Sequence, residues 1–237
     1  MENALYIGLS RQIVLQTQMD MTANNIANIN TPGYRGQNLL FKEYIADPKG
    51  QGPSYSMVQN VGQYSSTAPA PVQMTGNPLD VALVGPGFFE VNTPQGPRYT
   101  RSGSFTLNVQ GEIVTPGGAG TGVSVPADAK YVSIDENGVV STQNGPAGQI
   151  KVVEFQNQDA LVREGSNLYR ANANAAPSDA AETRAIQGSL EGSNVQAVVE
   201  VTRMIGILRD YQSLQRMVQN EHDLERSAIQ KIGSRTA

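Results

Sequence analysis

Residues 31–34, Thr31-Pro32-Gly33-Tyr34, constrain this chain more than any other passage, because they end one kind of structure and begin another. Proline presets φ at the first central position of a type II turn, and glycine accepts positive φ at the second. Pro32 also pushes Thr31 out of the α region, so a helix arriving from the N-terminal side must stop by about Asn30. The residues before the turn are unusual for a helix end: Asn24, Asn25, Asn28 and Asn30 fall within its last turns. Asparagine amides compete with the helix for backbone partners. Two explanations stand side by side. The plain one is fraying and capping. The sharper one is that these four amides bond the backbone or side chains of a neighbouring element or subunit.

Long helical patterns occupy both ends. In 3–29, Leu5, Leu9, Ile13, Gln16, Met19, Ala23 and Ile26 step by three or four, close to a seven-residue period. No compact apolar partner follows nearby, so this stripe needs one at long range or in another chain. At the other end, Leu190, Ser193 and Asn194 read as the approach to a second helix. Ser193 is its N-cap and Gln196 completes a capping box. Val198, Val201, Ile205, Leu208, Tyr211, Gln215 and Val218 then repeat at three and four as far as His222, with Ile229 and Ile232 extending the face.

Between the ends the chain changes character. Residues 36–75 read as an extended arm, with a brief apolar segment around Leu39, Leu40, Phe41, Tyr44 and Ile45. Gly- and Pro-rich chain follows at 47–54 and Ala-Pro-Ala-Pro at 68–71. Residues 76–172 hold many short apolar runs separated by turn residues, including Asn137-Gly138, a hairpin signal. Phe105, Leu107 and Val109 alternate as in a half-buried strand. The expected fold is α+β. Its two long terminal helices pair as an antiparallel, coiled-coil-like unit, and its central domain is all-β, a small barrel or sandwich. The expected division is 1–35 for the first helix and hinge, 36–75 for the arm, 76–185 for the β domain, and 186–237 for the second helix, packed with 1–35 as one helical core.

Composition removes several function classes. With 17 basic and 21 acidic residues the net charge is −4, which offers nothing to nucleic acid. The absence of cysteine removes disulfides and thiol catalysis. Residues 1–20 lack the cationic start and apolar run of a cleaved secretory signal, and no run approaches the ~20 apolar residues of a membrane helix. His222 is the single histidine, too few for a zinc site. Asp135-Glu136-Asn137-Gly138 lacks the ligand ladder of a calcium loop, and Gly117-Gly118-Ala119-Gly120 lacks the lysine of a phosphate loop. No catalytic, cofactor-binding or metal residue is assigned, and the chain is not expected to be an enzyme.

The ordered run at 23–35, Ala-Asn-Asn-Ile-Ala-Asn-Ile-Asn-Thr-Pro-Gly-Tyr-Arg, resembles the N-terminal signature of bacterial flagellar basal-body rod and hook proteins. Asn-Pro-Leu-Asp-Val-Ala-Leu-Val-Gly-Pro-Gly-Phe-Phe-Glu-Val at 77–91 and Arg-Tyr-Thr-Arg-Ser-Gly-Ser-Phe-Thr-Leu at 98–107 resemble the same family. So does Gly-Ser-Leu-Glu-Gly-Ser-Asn-Val at 188–195. The resemblance implies a structural axial subunit that polymerises helically with other rod proteins and with itself, surrounds an export channel and transmits torque. It implies a place in the periplasmic rod, reached through the flagellar type III export apparatus without a cleaved signal, with no nucleic acid, membrane insertion or cofactor. The opening at 3–12 and the modest length look most like proximal rod members; distal rod members are generally longer, with an extra segment after the hinge. Interface and hinge roles are expected for Asn24, Asn25, Ile26, Asn28, Thr31, Pro32, Gly33 and Tyr34. The same is expected of Leu190, Ser193, Asn194, Val198, Ile205 and Leu208. Alternatives are a distal rod or hook-type protein, a periplasmic β binding protein, and a secreted cap or chaperone.

Overall fold

The computed structural model of the chain describes residues 2–46, 55–172 and 174–233. The Gly- and Pro-rich passage expected at 47–54 lies outside them. The chain divides into two compact units. One comprises Met1–Ala27, Gln37–Tyr64 and Gln196–Ala237, and the other Asn28–Gly36 and Ser65–Val195.

The first unit carries α1 (Glu2–Ala27), the strands β1 (Gln37–Ala46) and β2 (Tyr55–Ser65), and, after the whole β unit, a helix from Ala197 to Gly233 that we label α2. Helix α1 stops three residues short of the limit that Pro32 sets. Along it, Leu15 packs with Ile207 and Leu214, flanked by Met19 and Tyr211. The Gln12 amide donates to the Tyr211 hydroxyl at 2.9 Å, and Gly8 leaves room for Val218, which a Cβ there would meet at 3.4 Å. Residue numbers fall along α2 as they rise along α1, so these contacts run in opposite chain directions.

The buried faces coincide only in part with the stripes expected from sequence, which hold for Met19 and Tyr211 but not for most of their other members. Leu9 and Ile13 are 54% and 60% exposed, and Ala23 is exposed, whereas Gly8, Leu15, Thr22 and Asn25 are buried. On α2 the expected Val198, Val201, Ile205 and Leu208 are exposed. Glu200, Ile207 and Leu214, at strict seven-residue spacing, face inward, with Tyr211 half-buried among them and Val218 half-buried one turn beyond. Close approach between helices selects positions by size and register. The small and amide-bearing residues therefore sit inside and several larger apolar ones outside. The arm also differs from expectation, because β1 and β2 pair with each other as a two-stranded sheet.

The second unit contains β3 (Val72–Met74), β4 (Val81–Val84), β5 (Phe88–Thr93), β6 (Gly96–Thr100), β7 (Thr106–Leu107), β8 (Glu112–Val114) and β9 (Gly120–Ser124). It continues through β10 (Ser133–Ile134), β11 (Val139–Thr142), β12 (Gly145–Gln149) and β13 (Val152–Glu154). A short 3-10 turn (Gln158–Ala160) precedes β14 (Leu161–Arg163), β15 (Tyr169–Ala171), β16 (Ser178–Asp179), β17 (Arg184–Gln187) and β18 (Ser189–Glu191). The largest sheet runs β14-β15-β6-β5-β9-β8-β7, with β13 on β5 and β16 on β13. Separate sheets are β10-β11-β12, β17-β4 and β18-β3. The expected Asn-Gly hairpin forms between β10 and β11, with Gly138 at φ 80°. The expected alternation at 105–109 does not persist: Phe105 is buried, but Val109 is fully exposed beyond the end of β7.

Strand β5 organises this core. Successive side chains on a strand point to opposite faces, so Phe88 and Phe89 enter different clusters. Phe89 packs edge-on to Phe105, ring centroids 5.1 Å apart, in a cluster with Val81, Ile113, Val140 and Ile150. Phe88 packs edge-on to Tyr169 and Phe155 at 5.7 and 5.9 Å. With helices at both ends and a mostly β centre, the chain is α+β.

Candidate assembly site at the turn

The turn after α1 forms as its residues dictate. The Tyr34 N–H donates to the Thr31 carbonyl at 3.2 Å, and Gly33 sits at φ 66°. The Thr31 hydroxyl donates to the Asn28 amide oxygen at 3.1 Å. Residues 28–36 belong to the β unit and lie along it as a strap. The Gly33 N–H donates to the Glu191 carbonyl at 2.7 Å, and Ser66 N–H to the Gly36 carbonyl at 2.7 Å. Gly33 is required twice over. Its φ suits glycine, and a Cβ would run into the Arg101 carbonyl group and the Ser102 nitrogen.

Under the strap lies a buried charge cluster that the sequence did not reveal. The Glu191 carboxylate ends β18, within 3.0 Å of Arg35 and 3.6 Å of Arg101, and all three side chains are shut off from solvent. Arg35 also donates to the Ala68 carbonyl, and Arg101 to the Gly85 carbonyl. Arg101 faces the Phe88 ring at 5.3 Å. Burial pulls the Arg101 guanidinium down to about 10; Glu191 opposes that shift and Arg35 adds to it. The guanidinium remains a cation at neutral pH. One carboxylate therefore holds two arginines, one on the strap and one at the end of β6. Removing one member of such a buried set costs about 3–5 kcal/mol, because the remaining charges lose compensation. Tyr34 is buried, and Arg163 of β14 lies over its ring at 4.2 Å.

Asn194 is the second fastening. Its amide oxygen accepts from Gly36 N–H at 2.7 Å, and its amide nitrogen donates to the Ser66 and Ala68 carbonyls at 3.3 and 3.0 Å. These bonds hold 193–195 outside any helix, which corrects the expected helix start. Leu190 lies in β18 opposite Gln73. Ser193 accepts from Val195 N–H at 3.2 Å and is not an N-cap. Helix α2 begins at Ala197, with the Gln196 carbonyl taking its first hydrogen bond, from Glu200 N–H.

In the helical unit the asparagines divide. Asn24 donates to the Asp20 carbonyl of its own helix, the plain reading of that residue. Asn25 is buried and takes the sharper role. Its amide exchanges two bonds with the Gln37 backbone, at 2.9 and 3.0 Å, and approaches Glu200 of α2 at 3.5 Å. Ile26 is half-buried beside it. Val198, Ile205 and Leu208 stand exposed on α2, away from these fastenings. Arg35, Arg101 and Glu191 were missed, although Tyr34-Arg35 and Leu190-Glu191 fall inside the family passages. Their pairing spans too much sequence to show as spacing.

Among the described residues, no group of three or more His, Cys, Asp or Glu could hold a metal ion. Nor is any helix long and apolar enough to cross a membrane.

Residues 5–35 match the family described as flagella basal body rod protein. Residues 82–142 match the flagellar hook protein FlgE/F/G D1 domain, and 186–231 the flagellar basal body rod FlgEFG protein C-terminal family. The chain is 37% identical, over 98% of its length and 99% of the relative's, to the flagellar basal-body rod protein FlgF of Caulobacter vibrioides. It is 34% identical, over 94% of its length and 97% of the relative's, to the flagellar basal-body rod protein FlgG of Bacillus subtilis. FlgF of Rhizobium meliloti is 29% identical over 98% of this chain.

Proposed function

This chain belongs to the flagellar basal-body rod protein family, and on that premise we propose that it is a subunit of the proximal rod, the FlgF position. It is a structural rod subunit that assembles with other rod subunits as part of the flagellum. In the finer reading, its terminal helices form an antiparallel coiled-coil-like pair. Pairs from many subunits then pack helically around an export channel, in the periplasm, while the β unit braces them and torque passes through the stack. Delivery is by the flagellar type III export apparatus. The observation that carries this reading is the exposed apolar row on the helices, Leu9 and Ile13 on α1 and Val198, Ile205 and Leu208 on α2. Exposed apolar side chains gathered on two helices suit an interaction surface, and heterologous, non-closing contacts between copies generate a filament. The asparagines and the strap, Asn28 to Tyr34, would fix where the chain leaves one unit for the other.

A distal rod position is the second reading, because the similarity to FlgG of Bacillus subtilis also spans nearly the whole chain. The deciding experiment tags the protein in cells, purifies hook-basal bodies and locates the tag by electron microscopy. Signal beside the inner-membrane ring is expected. Signal near the outer-membrane rings moves the protein to the distal rod, and absence from the particle overturns the rod reading.

A further inference from the structure

The helix pair is covered on one flank and bare on the other. Its inward positions are Gly8, Gln12, Leu15, Met19, Thr22 and Ile26 on α1, and Glu200, Met204, Ile207, Tyr211, Leu214 and Val218 on α2; none of them is exposed. Both series step by three and four, the spacing of a coiled-coil seam. The β1–β2 ribbon lies along one flank of that seam. Leu39, Phe41 and Tyr64 share a recess with Gln18 and Met21 of α1 and Arg203 of α2. Each of those three helical residues stands one position before an inward one, and one position turns a side chain by about 100° around the helix.

One position after each inward residue, every side chain is exposed. On α1 this second row is Leu9, Ile13, Gln16, Asp20, Ala23 and Ala27. On α2 it is Val201, Ile205, Leu208, Gln212, Gln215 and Gln219. Because the helices run in opposite directions, both rows emerge on the same side of the pair, the side away from the ribbon. Rows with this spacing suit a helix, which keeps step with them by knobs-into-holes packing. A strand, whose side chains repeat every second residue, falls out of step.

The two rows also match each other. Both step by four, three, four, three and four, so Leu9 aligns with Val201, Ile13 with Ile205, Gln16 with Leu208, Asp20 with Gln212, Ala23 with Gln215 and Ala27 with Gln219. Apolar side chains meet at the start of this alignment. Further on, the Asp20 carboxylate suits the Gln212 amide, and Ala23 and Ala27 leave room for two long side chains. The alignment is parallel, whereas α1 and α2 of one chain are antiparallel, so a chain cannot make it with itself. We propose that the bare face of the helix pair is an interface between copies, in which the α1 row of one copy packs in parallel against the α2 row of the next. The contact joins two different surfaces, the heterologous kind from which a filament grows. The inference rests on the reading of this chain as a rod subunit and adds which surfaces meet.

The test places a photo-crosslinking residue, p-benzoylphenylalanine, at Ile205 of the full-length chain in flagellated cells, and in separate variants at Ile13 and at Asp210. Asp210 is also exposed but stands one position before Tyr211, on the opposite flank. The expected result is a dimeric adduct from Ile205 whose second peptide carries the α1 row, a reciprocal adduct from Ile13 to the α2 row, and none of either kind from Asp210. The Ile13 variant carries the test alone should Ile205 lower expression. Four outcomes overturn the interface: an adduct joining like helices of two copies, an adduct with a different protein, equal adducts from Asp210, or no adduct from either row. Each leaves the rod reading standing while the chain is present in purified hook-basal bodies. Absence of the chain from those particles removes the rod reading and the interface together.

Discussion

The β unit and the helical unit close their interiors by different means. Phe89, Val81, Ile113 and Val140 of the β unit are wholly removed from water, in a cluster fed by many strands. The apolar contact between α1 and α2 rests on Leu15, Ile207 and Leu214, and buried Thr22, Asn25 and Glu200 share the helical unit's interior. Burying polar groups costs free energy unless they are hydrogen-bonded. Much of the helices' aliphatic surface, from Leu9 to Leu224, remains outside. The difference is one of closure: the β unit buries its large apolar side chains, whereas the helical unit leaves many of its own exposed.

The largest effect should come from the charge cluster. Glu191→Ala leaves Arg35 and Arg101 buried without their carboxylate and should destabilise the β unit by about 3–5 kcal/mol. Urea unfolding followed by the near-ultraviolet circular dichroism of the tyrosines reads this directly. A loss below 1 kcal/mol would mean that the strap is not fastened by charge. Next comes Gly33→Val, which adds strain at positive φ and a side chain against the Arg101–Ser102 backbone. The expected cost is about 3 kcal/mol, with motility lost. Normal swimming at normal expression would break the claim that the strap must seat.

These two sites show what the sequence could and could not reveal. The turn was legible because proline and glycine act within four residues. The existence of α1 and α2 was legible because a period repeated over many turns. Which face turned inward was not, because Gly8, Thr22 and Asn25 face inward for size and hydrogen bonding while Leu9 and Ile13 carry the hydropathy. Ser193 followed by Gln196 mimics a capping box, yet Asn194 is already committed to Gly36, Ser66 and Ala68. Strands β17 and β18 were missed because they are short and partly polar, and they are fixed by pairing with β4 and β3 about a hundred residues away. The Arg35–Glu191–Arg101 set combines both difficulties: it is long-range, and it uses residue types usually found on surfaces.

The helical unit offers a smaller test. Asn25→Ala removes the paired bonds to Gln37 and the approach to Glu200, and leaves the buried Glu200 carboxylate paired with Arg203 at 2.8 Å. A cost of about 1–3 kcal/mol is expected. It should be confined to this unit and visible as faster amide exchange in α1 and β1 with the β5 and β6 amides unchanged. Equal acceleration in both units would show that they unfold as one and would remove the contrast.

The smallest effect on stability should belong to Leu9→Ser, and it divides the two units most sharply. Leu9 is 54% exposed and outside the Leu15 cluster, so the isolated chain should change by no more than about 0.5 kcal/mol. If the exposed row is a contact surface, exchanging its leucine for a hydroxyl removes apolar area from an interface between subunits. The variant should then fold normally, be exported normally and enter purified basal bodies at reduced yield. A matched change on the β unit, Val109→Ser, also exposed, lies outside that row and should leave incorporation unaltered. Equal loss from both variants would mean that any exposed apolar residue serves. Loss from neither would place the contacts elsewhere and leave the outward-facing apolar residues of α1 without a role.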